Sequence, residues 1–444
     1  MSRKQLLIKG TFILTITGFA TRFMGFFYRI FLSHTFGEEG VGIYQLIFPL
    51  YALGFSLTSA GIELALSRSV ARYIAKKEEH KTLELLYAAL LIVEGFSFLV
   101  TLLVQKNSSF LAASILHEPR CEKLILILSY IFPFSALHSA ICGYYLGMKK
   151  TKVPAVSQLI EQSTRIGFVC ILYYISLKQH NPFGISIAVA GLIAGELFSS
   201  FYCINTLSRT KNLSFSPQTV FSSLKKHAGG LLTLSLPLTG SRVLLNILQS
   251  IEAVSIPIQL QIYGMNIKDS LSTYGVLTGM ALPCILFPSA ITNSVSTMLL
   301  PTVAEIQATD DQRQLSALIC KVVLSCIFLG SACCISLLIL GRWMGRFLFH
   351  SELAGSFIVT LAWICPFLYT NNTLISILNG IGKTNLSFLI NATGLGIRII
   401  GVLLFIPKIG IYGYLWGLLI SQLSIFLFCL LYLNIYLHSS SIKK

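Results

Sequence analysis

The chain alternates long apolar stretches with short polar ones. An apolar run of about 20 residues is long enough to cross a bilayer as a helix. Twelve such runs fall near 10–33, 41–64, 83–104, 124–147, 154–176, 184–207, 230–256, 272–298, 318–341, 355–379, 385–406 and 411–436. The stretches Ser270–Ala304 and Ile409–Ile442 hold no Asp, Glu, Lys or Arg. The pattern predicts an all-α integral membrane protein of about twelve transmembrane helices. The longest hydrophilic stretch, Ser208–Gly229, is the natural linker, giving an N-terminal six-helix lobe at 1–208, a linker at 209–228 and a C-terminal six-helix lobe at 229–444.

The two halves repeat. A shift of 233 aligns Ile131, Pro133 and Phe134 with Ile364, Pro366 and Phe367. It also aligns Gly147, Lys150 and Thr151 with Gly380, Lys383 and Thr384, and Arg165 and Ile166 with Arg398 and Ile399, eight identities in 36 positions. The same register brings Gly42 onto Gly275, Leu66 onto Leu299, and Val70 and Ala71 onto Val303 and Ala304. A shift of 220 matches Arg22 to Arg242. An even number of helices separates each element from its copy, so the repeat is parallel, with a site expected between the copies. Pro49, Pro133, Pro237, Pro283, Pro288 and Pro366 are candidate kinks.

Composition agrees with a lipid-covered surface. Charged residues are 11% and hydrophobic residues 54% of 444, against roughly 25% charged in soluble proteins. The net charge of +16 is spread in short clusters between the runs, the pattern that sets membrane orientation and meets anionic lipid headgroups rather than nucleic acid. With the N-terminus inside, twenty Lys and Arg fall on cytoplasmic segments and eight outside, which predicts a multi-pass protein of the cytoplasmic membrane with both termini cytoplasmic. The HTFGEEG segment, His34–Gly40, is then an outer loop.

The remaining five basic residues, Arg22, Arg29, Arg165, Arg242 and Arg398, lie inside predicted helices with the acids Glu63, Glu94, Glu161, Glu196 and Glu252. A charge at mid-membrane costs roughly 2.5–3.5 kcal/mol on insertion scales and faces a cavity or a partner. Arg22 and Arg29, seven apart, share one face. Ser235, Thr239, Arg242, Asn246, Gln249 and Glu252 form a polar stripe along helix seven, which faces either a water-filled cavity or other helices. Cations on such a face make an anion site, since guanidinium matches phosphate geometry. Glu252 is left open as a charge partner or an ion-coupling carboxylate. Glu161, one turn before Arg165, reads as its partner; at Arg398 the corresponding position is Gly394.

Other features read as packing. The eleven cysteines include no CxxC and lie mostly within apolar runs, so they read as core fillers rather than metal ligands or disulfides. His138 has no second His nearby and reads as a packed polar residue. The GxxxG pairs Gly191–Gly195 and Gly413–Gly417 read as close helix contacts. Gly380–Thr384 (GIGKT) has Ile377 where a phosphate-binding loop needs glycine, so no nucleotide or other cofactor is expected. The outer loops are too short for a membrane enzyme's catalytic site.

Four segments carry a family resemblance: Thr17–Leu50 (TGFATRFMGFFYRIFLSHTFGEEGVGIYQLIFPL), Ser59–Ala71 (SAGIELALSRSVA), Ser235–Leu260 (SLPLTGSRVLLNILQSIEAVSIPIQL) and Ala281–Glu305. The chain resembles the stage V sporulation protein B and polysaccharide exporter family of the multidrug/oligosaccharidyl-lipid/polysaccharide flippase superfamily. The resemblance implies two six-helix bundles like those of multidrug and toxin extrusion transporters. It implies a flippase that moves an undecaprenyl-diphosphate-linked oligosaccharide or peptidoglycan precursor across the membrane by alternating access. The substrate-binding residues it implies are Arg22, Arg29, Arg68 and Arg242, with Asn246 and Gln249 beside them on the stripe. Arg68 also stands where a topology charge belongs. Coupling to H+, Na+ or the membrane potential is expected; an inside-negative potential favours outward movement of a diphosphate by about 2.3 kcal/mol per charge per 100 mV. A cation-coupled multidrug exporter of the same superfamily is the alternative, disfavoured by a basic cavity. Members of the family usually carry two further C-terminal helices, and the twelve runs here leave none, which bears on the substrate and not on the fold.

Overall fold

A computed structural model describes residues 3–178, 184–210, 217–308 and 312–442, and among them the chain is helical with no strand. Twelve long helical segments follow in order, with a short helical turn at 108–115 between the third and fourth: α1 (Arg3–Leu46), α2 (48–75), α3 (Lys81–Lys106), α4 (121–147), α5 (Lys152–Lys178), α6 (Ser186–Thr210), α7 (Pro217–Ile262), α8 (267–308), α9 (Gln312–Phe349), α10 (352–380), α11 (384–409) and α12 (Tyr412–Ile442). Helix is the answer hydrocarbon demands, because it satisfies backbone N–H and C=O groups within one segment. Eight helices are long and apolar enough to cross a membrane, ten if each of two bent pairs is one span. One of those eight, Phe12–Ala75, is 64 residues long and holds two expected runs. The α5 helix falls outside the tally because Glu161, Gln162 and Arg165 make its middle polar. The chain is therefore a multi-pass all-α membrane protein.

Several boundaries differ from expectation. His34–Gly40 is not an open loop: α1 is helical throughout except at Gly37, whose φ of 69° breaks it. One glycine suffices because it reaches positive φ without steric cost. Helices α7 and α9, at 46 and 38 residues, overrun their apolar runs, since hydropathy marks only the part of a helix matched to lipid. Within the expected linker 209–228, residues 211–216 lie outside the described residues, and from Pro217 the chain is already helix.

By backbone contacts the chain forms two compact units, Met1–Tyr28 with Leu46–Ser250, and Arg29–Gln45 with Ile251–Lys444. The division runs through α1 and α7 rather than through 209–228. The first unit has a core of Leu66, Leu86, Val93, Ile141, Tyr144 and Cys203 from α2, α3, α4 and α6. The core of the second draws Val303, Leu374, Ile377, Ile425 and Cys429 from α8, α10 and α12.

Proline and π turns set the bends. The α4 helix bends by 41° at Tyr130, just before Pro133, and α8 by 60° at Phe287 and Pro288. In α10 a 3-10 turn at Ala362–Ile364 precedes Pro366. Of the candidate kinks, Pro237 alone lies inside an uninterrupted helix, α7, which also accommodates Pro257. Proline removes an N–H and strands the carbonyl four residues earlier, and side chains take up the strays. Thr101 donates to Ser129 O at 3.2 Å, the carbonyl four before Pro133. Buried Tyr369 donates to Ile285 O at 2.7 Å, next to the α8 bend.

The repeat is visible in local geometry. The irregularity at Tyr130 and that at Trp363 are 233 apart. After α4, Lys149 has φ 60°, with Lys149 N and Lys150 N donating to Leu146 O and Tyr145 O at 2.9 Å. After α10, Gly382 has φ 85°, with Gly382 N and Lys383 N donating to Asn379 O and Leu378 O at 3.1 and 2.9 Å. Both are Schellman-type helix ends, so the GIGKT segment is a helix terminus and its copy.

Within the second unit Gly42 and Gly275 lie back to back. A Cβ on Gly42 would sit 2.1 Å from Leu271 O, and one on Gly275 would sit 2.5 Å from Gly42 N. Backbone cannot yield as a side chain can. Gly42→Leu is therefore expected to destabilise by about 2 kcal/mol or more, lowering the melting temperature of the detergent-purified protein. Gly95→Leu, where a Cβ meets nothing within 4 Å, should leave it unchanged.

Candidate functional site

The polar stripe of α7 divides into residues that serve the fold and residues that stay open. In the first unit it runs along α2, whose backbone is irregular at the π turn Ser56–Ala60. Such a turn leaves backbone polar groups short of regular partners. Asn246 Nδ2 donates to Ala52 O at 3.2 Å and to Ser56 Oγ, and Ser250 Oγ donates to Pro49 O at 3.5 Å. Thr239 packs where Gly61 leaves room, as a Cβ there would fall 1.9 Å from Thr239 Oγ1. Ser235 is buried. These residues join helices, as polar side chains do in apolar surroundings.

Arg242 and Gln249, on the same stripe, are exposed. Arg242 makes one long contact, Nη1 to Ala60 O at 3.5 Å, and lies near enough to Glu63 to interact with it electrostatically. Arg22 on α1 and Arg68 on α2 are also exposed, and among the described residues neither has a hydrogen bond or ion pair. These four and Asn246 belong to the first unit. Arg29 belongs to the second, partly buried, with Tyr44 and Cys284 as electrostatic neighbours.

Glu252 also belongs to the second unit and is buried, at 4% exposure. Its Oε2 accepts from Arg398 Nη2 at 2.7 Å. The sequence left its partner open; the structure supplies Arg398. The reason lies at Gly394, where a Cβ would sit 2.5 Å from Ile425 Cδ1. An acid there would have to push the Ile425 side chain aside, and the charge comes from α7 instead. In the first unit Arg165 finds Glu161 one turn earlier, as expected, and its Nη1 donates to Gln162 Oε1 at 3.1 Å.

The other acids are engaged too. Glu63 accepts from Ser139 Oγ at 2.9 Å, and Glu94 from Ser97 Oγ at 3.2 Å. Glu196 Oε2 lies 3.0 Å from His138 Nδ1, and Tyr51 donates to Glu196 Oε1 at 3.4 Å. The cluster of Tyr51, His138, Glu161, Arg165 and Glu196 escaped the sequence reading, which saw His138 as isolated. Its signal was the Gly191–Gly195 pair just before Glu196. A Cβ at Gly195 would meet Glu161 O at 2.8 Å, and one at Gly191 would meet Arg165 O at 3.2 Å. Close approach of α5 and α6 brings these charges together.

All five intramembrane carboxylates thus have partners, whereas the guanidinium groups of Arg22, Arg68 and Arg242 stay accessible. Accessible guanidinium groups of this kind attract anions.

Comparison with known proteins places the chain. Residues 7–307 match the family model described as polysaccharide biosynthesis protein. The chain is 29% identical to stage V sporulation protein B of Bacillus subtilis (strain 168) over 418 residues, 92% of this chain and 80% of that one. Among solved structures, it is similar to the lipid II flippase MurJ in an inward closed conformation, with a TM-score of 0.70 and 19% identity over 95% of this chain and 87% of that one. It is equally similar to an inward-facing multidrug resistance MATE family transporter of the MOP superfamily, with a TM-score of 0.70 and 13% identity over 96% and 99% of the two chains.

Breaking a buried ion pair strands a charge at a cost of about 3–5 kcal/mol, whereas replacing both members is often neutral. Arg398→Met alone should lower stability by about 3 kcal/mol. The double substitution Arg398→Met, Glu252→Gln should recover most of it, read as a double-mutant cycle on melting temperature.

Proposed function

The chain belongs to the polysaccharide biosynthesis protein family, and on that premise we propose that this membrane transporter is a flippase for a lipid-linked, undecaprenyl-diphosphate oligosaccharide or peptidoglycan precursor. In this reading it works by alternating access in the cytoplasmic membrane with both termini inside. The observation that carries the reading is the charge asymmetry within the membrane helices. Glu161, Glu196 and Glu252 pair with basic side chains, while Arg22 and Arg68 present guanidinium groups without an ion pair among the described residues and Arg242 has only Glu63 as an electrostatic neighbour. A diphosphate headgroup suits them, because Arg–phosphate hydrogen bonds are charge-assisted and bidentate.

The face of α1 beside Arg22 fits the other end of such a substrate. Phe12, Ile16, Phe19, Phe23 and Phe27 are exposed at helical spacing. They form an apolar strip next to a cation, suited to a molecule that joins an isoprenoid tail to a charged head. Arg29 completes the basic set along α1 in this reading, and Gln249 offers hydrogen bonds to a sugar. Asn246 is moved from substrate contact to support, since both its bonds go to α2. Glu252, held by Arg398, acts as a charge partner. Driving force comes from the membrane potential acting on the anionic head, or from H+ or Na+ entering with it.

Flipping of a fluorescent undecaprenyl-diphosphate sugar in proteoliposomes tests the reading. Charge-assisted hydrogen bonds contribute about 1.5–3 kcal/mol, so Arg22→Ala and Arg242→Ala should each slow flipping by roughly 10- to 100-fold. Melting temperature should be unchanged, because both side chains are exposed. Asn246→Ala should instead lower stability, by about 1 kcal/mol. Flipping untouched by either Arg substitution would sink the basic-site mechanism. Uptake of cationic dyes in its place would support the multidrug exporter alternative.

A further inference from the structure

The cluster around His138 carries chemistry that anion transport leaves unused. We propose that the first unit holds a zinc-class divalent ion on a thiolate–imidazole site made by His138 and Cys142 of α4 and Cys203 of α6. The proposal is independent of the flippase reading.

The geometry supports it first. One ligand atom from each of the three residues lies within 4.8 Å of the other two. Zn–S and Zn–N bonds of about 2.3 and 2.0 Å place tetrahedral ligand atoms roughly 3.5–3.8 Å apart. The site therefore needs to contract by only about 1 Å, which side-chain rotation supplies. His138 and Cys142 are four apart and share a face of α4. Ser200 Oγ donates to Phe134 O at 2.7 Å and ties α6 to α4 beside them.

The surroundings are already those of a metal-bound histidine. Such a ring usually donates its second N–H to a carboxylate, which fixes the tautomer and makes the coordinating nitrogen more basic. Glu196 Oε2 stands 3.0 Å from His138 Nδ1, and Tyr51 holds the other carboxylate oxygen. With the proton on Nδ1, the Nε2 lone pair faces Ser157 Oγ at 3.0 Å. Ser157 Oγ, which donates to Pro154 O at 2.9 Å, would turn to another χ1 rotamer to clear the Nε2 lone pair for the ion. Ser157 Oγ is also 3.5 Å from Cys142 Sγ and so borders the open fourth position.

Charge selects the metal. Cys142, Cys203 and His138 are buried, with exposures of 7%, 0% and 8%, and the two thiols belong to the apolar core of the unit. Two thiolates and a neutral imidazole balance a divalent ion, so the ion and its three ligands together add no net charge among apolar side chains, with Glu196 alongside as the acceptor of the ring N–H. Binding releases the two thiol protons to water. A second grouping, His138 with Glu161 and Glu196, is also compact. There the ion would have to displace the Arg165 guanidinium from Glu161, so the thiolate side is favoured. The filled site would pin α4 to α6 and leave the exposed arginines untouched.

The test uses the full-length protein in detergent, loaded with Zn²⁺ or Co²⁺ and then desalted. We expect one Zn²⁺ retained per chain, and in the cobalt form a strong near-ultraviolet thiolate-to-metal absorption with visible bands of four-coordinate Co²⁺. Cys142→Ser, Cys203→Ser and His138→Gln should each reduce retained metal at least tenfold. Cys333→Ser with Cys334→Ser, and Glu161→Gln, should leave it unchanged. Absence of retained zinc and of the thiolate absorption in the wild type would overturn the proposal. So would retention that survives Cys203→Ser but falls with Glu161→Gln, which would assign the ion to the carboxylates. Where a cysteine variant fails to fold, the wild-type cobalt spectrum alone separates thiolate from carboxylate ligation.

Discussion

Everything in this fold follows from the scarcity of hydrogen-bond partners in hydrocarbon. A helix satisfies its own backbone, but any bend releases groups that water cannot reach. The bends at Tyr130 and Phe287 and the π turn at Ser56–Ala60 each release such groups. Nearby polar side chains are drawn to them: Thr101 to Ser129 O, Tyr369 to Ile285 O, Asn246 to Ala52 O. The polar residues inside the spans are thus not surplus. Many are the conditions under which a helix can bend there at all, and bent helices are what a transporter of this kind is made from.

The repeat shows which features are geometry and which are chemistry. The helix break before Pro133 and Pro366, and the left-handed residue at Lys149 and Gly382, recur in register. The polar pairs change. Where the first unit joins His138 to Glu196, the second has Asn371, the residue matched to His138, donating to Gln422 Oε1 at 2.9 Å. Where Arg165 pairs within its own helix, Arg398 reaches Glu252 on α7. One scaffold therefore carries ionisable contacts in one unit and neutral amides at the matched place in the other.

How much of this was legible in the sequence depends on the range of the signal. Apolar run length gave the twelve segments, because bilayer thickness fixes it. Proline gave the bends, since its missing N–H acts locally, and glycine pairs gave the α5–α6 and α11–α12 approaches. Helix ends were misjudged at Gly37 and before α7 and α9, because hydropathy reports where lipid lies and not where hydrogen bonds stop. Partners across helices were not legible. The stripe of α7 could be read as one face, but nothing in its spacing said that Asn246 would be used by α2 while Arg242 stayed open. Nor did Gly394 disclose that its missing acid would arrive as Glu252, since a clash with Ile425 exists only once α11 and α12 are packed.

The open arginines are the reverse of the constraint that orders everything else. A cation left without a partner at membrane depth costs roughly 2.5–3.5 kcal/mol on insertion scales, and this chain had acids available to neutralise its own. Glu196 and Glu252 are instead committed to His138 and Arg398. The resulting deficit of negative charge is a standing preference for an anionic ligand. It also bears on movement. A ligand shifts a conformational equilibrium only to the extent that it binds the two states differently. Arg22, Arg68 and Arg242 belong to one unit and Arg29 to the other.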